Sequence, residues 1–237
     1  TSESGTNAAG RADYRIAEIS LNDKNIGSAK MAWSMKNLDI PSTLALVQLY
    51  QTKLQPYEKA AAQAAAAGQP VPELNLTEAE EAQVKANLEK LLAAQPQIAL
   101  ENLSFTTSNG ESKASLVVDL AKPQSLDLPV DQLVLQLIAL LDLNVQVSKP
   151  MITDLVSLQA LAEGQTDAKA IAEQALATSD MVSSMAVGTQ LATLSGDNIV
   201  SKLHYANNQV DFNGQKMTVE EFVGFVMSKL GSQEVEQ

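Results

Sequence analysis

Leu203-His204-Tyr205-Ala206-Asn207-Asn208-Gln209-Val210-Asp211-Phe212-Asn213-Gly214-Gln215-Lys216-Met217 decides the fold class of this chain. Leu203 and Tyr205 flank His204, and Val210 and Phe212 flank Asp211, the period-two spacing of strands with one buried face. Asn207-Asn208 between the two runs predicts a tight hairpin turn, because asparagine tolerates the left-handed backbone such turns demand. Directly after it, Thr218 and Glu221 stand in capping-box spacing. Phe222, Val223, Val226, Met227 and Leu230 then recur at helical spacing, and Gly231 stops the run. A strand pair that passes straight into an amphipathic helix predicts an α+β fold.

Two further hairpins lie upstream. Tyr14 to Leu21 reads as a strand, Asn22-Asp23-Lys24-Asn25 as its turn, and Ala29, Met31, Trp33 and Met35 as the inward side of the return strand. Ile98 and Leu100 lie in one phase and Leu103 and Phe105 in the other, which predicts a bulge near Glu101 or Asn102. Asn109-Gly110 then turns the chain into Ala114, Leu116, Val118 and Leu120.

Helices fill the intervals. Pro41 and Ser42 open one that carries Leu44, Val47, Tyr50 and Leu54, and Pro56 kinks or ends it. An alanine-rich helix from Tyr57 to Ala67 has a weak apolar face and reads as exposed, and Thr77 with Glu80 caps the next. Downstream come a short helix around Leu133 to Leu141, a strand through Leu143, Val145 and Val147, a helix opened by Pro150, and helical segments from Asp167 to about Leu194. The expectation is an antiparallel sheet of three hairpins with helices on one face. It divides into a flexible linker at 1–12, a module at 13–96, a second at 97–231 and a tail at 232–237. The repeated order of hairpin and helices leaves open that the modules are related.

Composition narrows the partners. Lys plus Arg is 16 and Asp plus Glu 28, a balance of 16 − 28 = −12. Phosphate binding works by cations displacing counterions, and polybasic docking on anionic lipid needs clustered lysine and arginine. Nucleic acid and polybasic membrane docking are therefore not expected. Cysteine is absent, which removes disulfides, thiolate nucleophiles and cysteine metal sites. The opening Thr1-Ser2-Glu3-Ser4-Gly5 has neither the basic nor the apolar stretch of a signal peptide, so the chain reads as a soluble piece of something longer.

No catalytic, metal or cofactor site is expected. Gln209-x-Asp211-x-Asn213-Gly214 with Glu220 has near-EF-hand spacing, but its first ligand is an amide and a strand replaces the entering helix. His204 is the single histidine, placed by alternation on the face opposite Leu203 and Tyr205, with no partner visible. Glu78, Glu80 and Glu81 sit where carboxylates favour a helix N-terminus. Ser112-Lys113 and Ser201-Lys202 lie within strands, where neighbours point to opposite faces. The most apolar surfaces are Met31, Trp33 and Met35 together with the leucines from Leu126 to Leu158. Of these, Met31, Trp33, Met35, Leu133, Leu137 and Leu141 are the candidates to line an apolar groove for acyl chains, with ordinary core as the competing reading.

Three stretches carry a resemblance. Tyr14 to Ile40 ends in Lys36-Asn37-Leu38-Asp39, Val145-Gln146-Val147-Ser148-Lys149-Pro150 runs from strand into helix, and Leu203 to Met217 is a terminal hairpin closed by Asn-Gly-x-x-Met. Together they resemble the C-terminal portion of the YdgA family of bacterial envelope proteins, and the terminal hairpin is also similar to those of AsmA-like proteins. The resemblance implies an N-terminal membrane anchor, missing here, with the remainder in the periplasm at the inner membrane. It carries no catalytic residues. The function expected is non-enzymatic binding or assembly, with a homo-oligomer, an envelope protein or lipid as partner. A lipid carrier is the alternative and a hydrolase the third reading.

Overall fold

The computed structural model describes residues 2–4, 7–21 and 24–231. The chain is α+β, as the terminal hairpin and helix predict. Its strands are β1 (Ser2–Ser4), β2 (Asn7–Leu21), β3 (Lys24–Asp39), β4 (Gln97–Thr106), β5 (Glu111–Leu120), β6 (Ile138–Ser148), β7 (Thr193–Ser195), β8 (Asn198–Ala206), β9 (Gln209–Phe212) and β10 (Gln215–Thr218). They hydrogen-bond in the order β1-β2-β3-β4-β5-β6-β8-β9-β10, with β7 also on β8. The pairs β1/β2, β6/β8, β7/β8, β8/β9 and β9/β10 are antiparallel. The helices are α1 (Ile40–Leu49), α2 (Gln55–Ala66), α3 (Glu78–Ala93), α4 (Val130–Leu137), α5 (Lys149–Ala162), α6 (Ala168–Gly188) and α7 (Val219–Gly231).

Three expectations about organisation change. Residues 7–12, read as linker, are strand: β2 begins at Asn7, and Asn7–Ala9 pair with β1. Alanine and glycine have little β-propensity of their own, and the backbone ladder supplies what their side chains do not. Residues 1, 5, 6, 22 and 23 and the tail 232–237 lie outside the described residues. The chain also divides into units that interleave in sequence, instead of consecutive modules at 13–96 and 97–231. One holds Thr1–Gly10, Met35–Gln97 and Asp119–Ile138, the other Arg11–Ser34, Ile98–Val118 and Ala139–Gln237. Strand pairing brings together residues far apart in sequence, so compactness cuts across chain order. Lastly, β6 starts at Ile138, so Leu141 stands on a strand and α4 ends at Leu137.

The first unit is mainly helical. Asp39 caps α1, its Oδ2 accepting from the Ser42 N–H at 3.0 Å. A π-helical turn at Tyr50–Leu54 follows and runs on into α2, so Pro56 lies within a continuous helix, and the wide turn sits just before the residue that cannot donate a helix hydrogen bond. The α3 capping box forms as its spacing predicts, Glu80 accepting from the Thr77 N–H at 2.8 Å. Ion pairs Lys53–Glu80 at 2.9 Å and Lys122–Glu89 at 3.0 Å tie α3 to its surroundings.

In the second unit, α5 and α6 meet through small residues. Ala160, Ala175 and Ser179 are buried, and the Ser179 hydroxyl donates to the Lys149 carbonyl at 3.1 Å. The sheet contributes Ile199 and Tyr205 from β8 and Val210 from β9 to the core. α7 packs Phe222 and Phe225 on Phe212, with ring centroids 5.4 and 5.9 Å apart. Val226 is half-buried beside them, while Val223 and Met227 are exposed, so the covered stripe is narrower than the apolar spacing implies. Leu230 lies outside the residues whose side chains are described. The β4–β5 turn docks on α5: Thr107 and Asn109 donate to the Asp154 carboxylate, and Gly110 lies against Ser148 and Met151.

Candidate functional site

Of the residues expected to line an apolar groove, Met31, Trp33 and Leu141 belong to the second unit and Met35, Leu133 and Leu137 to the first. On β3 the buried residues are Ala32 and Ser34, whereas Met31 and Trp33 are half-buried and Met35 is 43% exposed. Alternation separates the two faces of a strand correctly but does not say which one faces the core, and here the small residues do. Leu133 and Leu137 are half-buried on α4, and Leu141 is half-buried on β6, directly opposite Tyr205. In the first unit, one depression lies between α1 and α3, lined by Leu46, Leu49, Glu80 and Val84, and a second is lined by Leu76, Val84, Leu88 and Leu126. None of the six candidates lines either of them.

The polar face of the second unit holds a constellation that sequence reading missed. The β6/β8/β9/β10 register sets Asp142 opposite His204, His204 opposite Asp211, and Asp211 opposite Lys216. Alternation puts this row on the side away from Leu141, Leu203 and Tyr205, the face expected for His204. Asp142 Oδ1 is 2.5 Å from His204 Nδ1. The histidine thus has the partner that sequence reading lacked, contributed from 62 residues away. Asp142, His204 and Asp211 border a depression of about 620 Å³, lined also by Asn144, Gln146, Thr193, Ser195, Lys202 and Asn213.

Chemically, a carboxylate on one imidazole nitrogen fixes the ring and leaves the other nitrogen free. A nucleophilic relay needs a hydroxyl or thiol at that free nitrogen. Ser201, the nearest serine along β8, has the phase of Leu203 and so points to the opposite face. Among the described residues, no group of three or more histidine, aspartate or glutamate side chains is arranged to hold a metal ion.

The near-EF-hand oxygens are already in use. Asp211 Oδ1 accepts from the Gly214 N–H at 2.9 Å, and Asn213 Oδ1 accepts from the Lys202 N–H at 2.8 Å. Asn213 also donates to the Leu191 carbonyl at 3.2 Å, so its side chain continues the hydrogen bonding alongside β8. The glutamates at the head of α3 likewise serve the helix. The Thr77 backbone N–H, the Lys53 ammonium and the Thr77 hydroxyl hold Glu80 at a pKa of about 2. Of the serine–lysine pairs, Ser112 accepts from the Ser148 N–H at 2.9 Å, and Lys202 faces the polar depression away from Ser201.

Large apolar side chains stand in the open on the helices. Leu44, 63% exposed, with Val47 on α1, Met181, 64% exposed, with Met185 on α6, and Met227, 65% exposed, with Val223 on α7 are spaced three or four residues apart. That spacing puts each pair on one helix face.

A family model described as "Bacterial protein of unknown function (DUF945)" matches residues 1–220. The chain belongs to the DUF945 family. This DUF945 chain is 31% identical over 230 residues to Protein YdgA of Escherichia coli (strain K12), an alignment covering 92% of the chain and 43% of that protein. It therefore spans less than half the length of that relative. No solved structure matches the chain. Among the described residues, no helix is long and apolar enough to cross a membrane.

Proposed function

We infer that this DUF945 chain is a non-enzymatic binding and assembly domain, exposed to the periplasm as part of an inner-membrane-associated envelope protein. One observation carries the reading: paired apolar residues on α1, α6 and α7 are left exposed at helical spacing. Scattered single apolar residues on a surface are ordinary, whereas pairs that make one side of a helix apolar favour a protein partner. The carrier reading is weaker, because Met35, Leu133 and Leu137, the groove candidates of the first unit, do not line its apolar depression beside Leu76, Leu88 and Leu126. A hydrolase is weaker still: Asp142 orients His204, but Ser201, the nearest serine along β8, turns to the opposite face of the strand.

The test is a photo-crosslinking residue placed at Met181 or at Met227 in the chain carried in bacterial cells. Protein adducts, identified by mass spectrometry and lost when Met185 or Val223 is changed to lysine, are expected. Adducts with lipid alone would favour the carrier. A complete lack of adducts at both positions would remove the support for assembly.

A further inference from the structure

The sheet of the second unit carries a polar trough that the assembly reading does not use. The depression beside Asp142, His204 and Asp211 shares Asn144, Gln146 and Lys202 with a second one, which reaches Glu101 on β4 and Lys113 on β5. Together they cross β4, β5, β6, β8 and β9, which are successive neighbours in the sheet. Four strand spacings of about 4.8 Å make the trough roughly 19 Å long, room for an extended ligand of several rings.

The binding capacity left over in this trough is mainly that of a donor. Each carboxylate that lines it is engaged: Glu101 with the Arg11 guanidinium at 3.0 Å, Asp142 with His204, and Asp211 with the Gly214 N–H. Lys113 and Lys202 have no acidic partner among the described residues, although Lys53, Lys85, Lys122, Lys149 and Lys169 each pair with one. The side-chain amides of Asn144 and Gln146 are likewise unbonded among the described residues. Asn144 stands directly opposite Lys202, and Gln146 follows two residues along the same face of β6. An ammonium only donates, whereas an amide both donates and accepts, as a hydroxyl does.

We propose that this trough binds an anionic glycan, with carboxylate or phosphate groups on Lys113 and Lys202 and sugar hydroxyls on Asn144 and Gln146. The ladder already uses the backbone groups of these strands, so a peptide finds no main-chain partners on the face. Among the described residues, no Phe, Tyr or Trp lines either depression, which removes the stacking platform a single-stranded nucleic acid needs. The same lack makes ion pairing, in place of ring stacking, the source of affinity, so a neutral glycan is not held. A chain of net charge −12 repels polyanions at a distance, and it holds one only where its cations are not spent on its own carboxylates.

Dextran supplies matched probes, because one backbone can be carried plain, carboxymethylated or phosphorylated. With these immobilised, biolayer interferometry of the chain at low ionic strength is expected to show saturable binding to a charged dextran and none to the plain one. The stronger of the two charged forms tells carboxylate from phosphate. Lys113→Gln and Lys202→Gln should each weaken binding about two- to fivefold, the range of an exposed ion pair, and Asn144→Ala should weaken it as well. Lys59→Gln, the same charge change at an exposed lysine on α2, should leave binding unaltered. All four side chains are exposed, and circular dichroism checks that the variants keep their fold. Four results would each overturn the proposal: no binding to either charged dextran, equal binding to plain dextran, an equal loss from Lys59→Gln, or tighter binding to polyglutamate, which would make the ligand an acidic peptide.

Discussion

Replacing Asp154 with alanine should uncouple the β4–β5 turn from α5. Asp154 accepts from the Thr107 hydroxyl, from the Asn109 N–H at 3.0 Å and from the Asn109 side-chain amide at 2.7 Å. Thr107 is buried, so its hydroxyl loses a charged acceptor and keeps only the Gly110 carbonyl at 3.4 Å, at a cost of about 1.5–3 kcal/mol. The Asn109 groups are exposed and re-hydrate, so they add about 0.5–1 kcal/mol. The expected loss is therefore about 2–4 kcal/mol, and a chain of this size loses roughly 2–4 °C of Tm per kcal/mol. The effect also depends on pH. Burial raises the Asp154 carboxyl pKa, but the bonds from Thr107 and Asn109 outweigh it and leave the pKa below the ordinary aspartate value. A pKa depressed in the folded state gives stability that is present above the unfolded value of about 3.9 and is lost as pH falls through the folded one. Urea denaturation of wild type and Asp154→Ala should show the full gap at neutral pH and a narrower one in acid. A neutral-pH difference under about 0.5 kcal/mol, the range of ordinary surface changes, would refute the reasoning.

Other expectations follow from single contacts. Gly110→Ala puts a Cβ 2.2 Å from Ser148 Oγ and 2.8 Å from the Met151 nitrogen, and overpacking of this kind should cost about 1–3 kcal/mol in thermal or urea unfolding. Asn213→Ala removes the acceptor for the Lys202 N–H and strains a residue at φ 53°, so it should destabilise by about 2 kcal/mol, with Asn213→Gly recovering only the backbone share. Calcium and a chelator should leave the melting temperature unchanged, because Asp211 Oδ1 and Asn213 Oδ1 already accept from backbone N–H groups; a calcium-dependent rise would contradict that.

The features legible in the sequence were those set by neighbours along the chain. Thr77 with Glu80 and Thr218 with Glu221 marked two helix starts, and Asn207-Asn208, at φ 53° and 59°, marked the terminal hairpin. What escaped depends on distant partners. Asp142 and His204 meet only through the β6/β8 register, and no local pattern encodes it. Met31, Trp33 and Met35 looked like the inward face because they are large, yet the structure buries Ala32 and Ser34. The leucine run from Leu133 onwards has no clear period, so the change from α4 to β6 at Ile138 had no local signal. Asn7-Ala8-Ala9 read as linker because its strand character comes from the ladder with β1.

The contact between α5 and α6 has a mechanical side. Helices seated on Ala160, Ala175 and Ser179, with a hydroxyl of one bonded to a carbonyl of the other, cannot shear without first separating. Met181 and Met185 therefore project from a stiff backbone while keeping supple side chains of their own. A partner that lands there finds the helix already in place and spends little entropy ordering it, while the thioethers adjust to its shape. The surface combines preorganisation in the main chain with tolerance at the tips, the combination that the proposed assembly role would use.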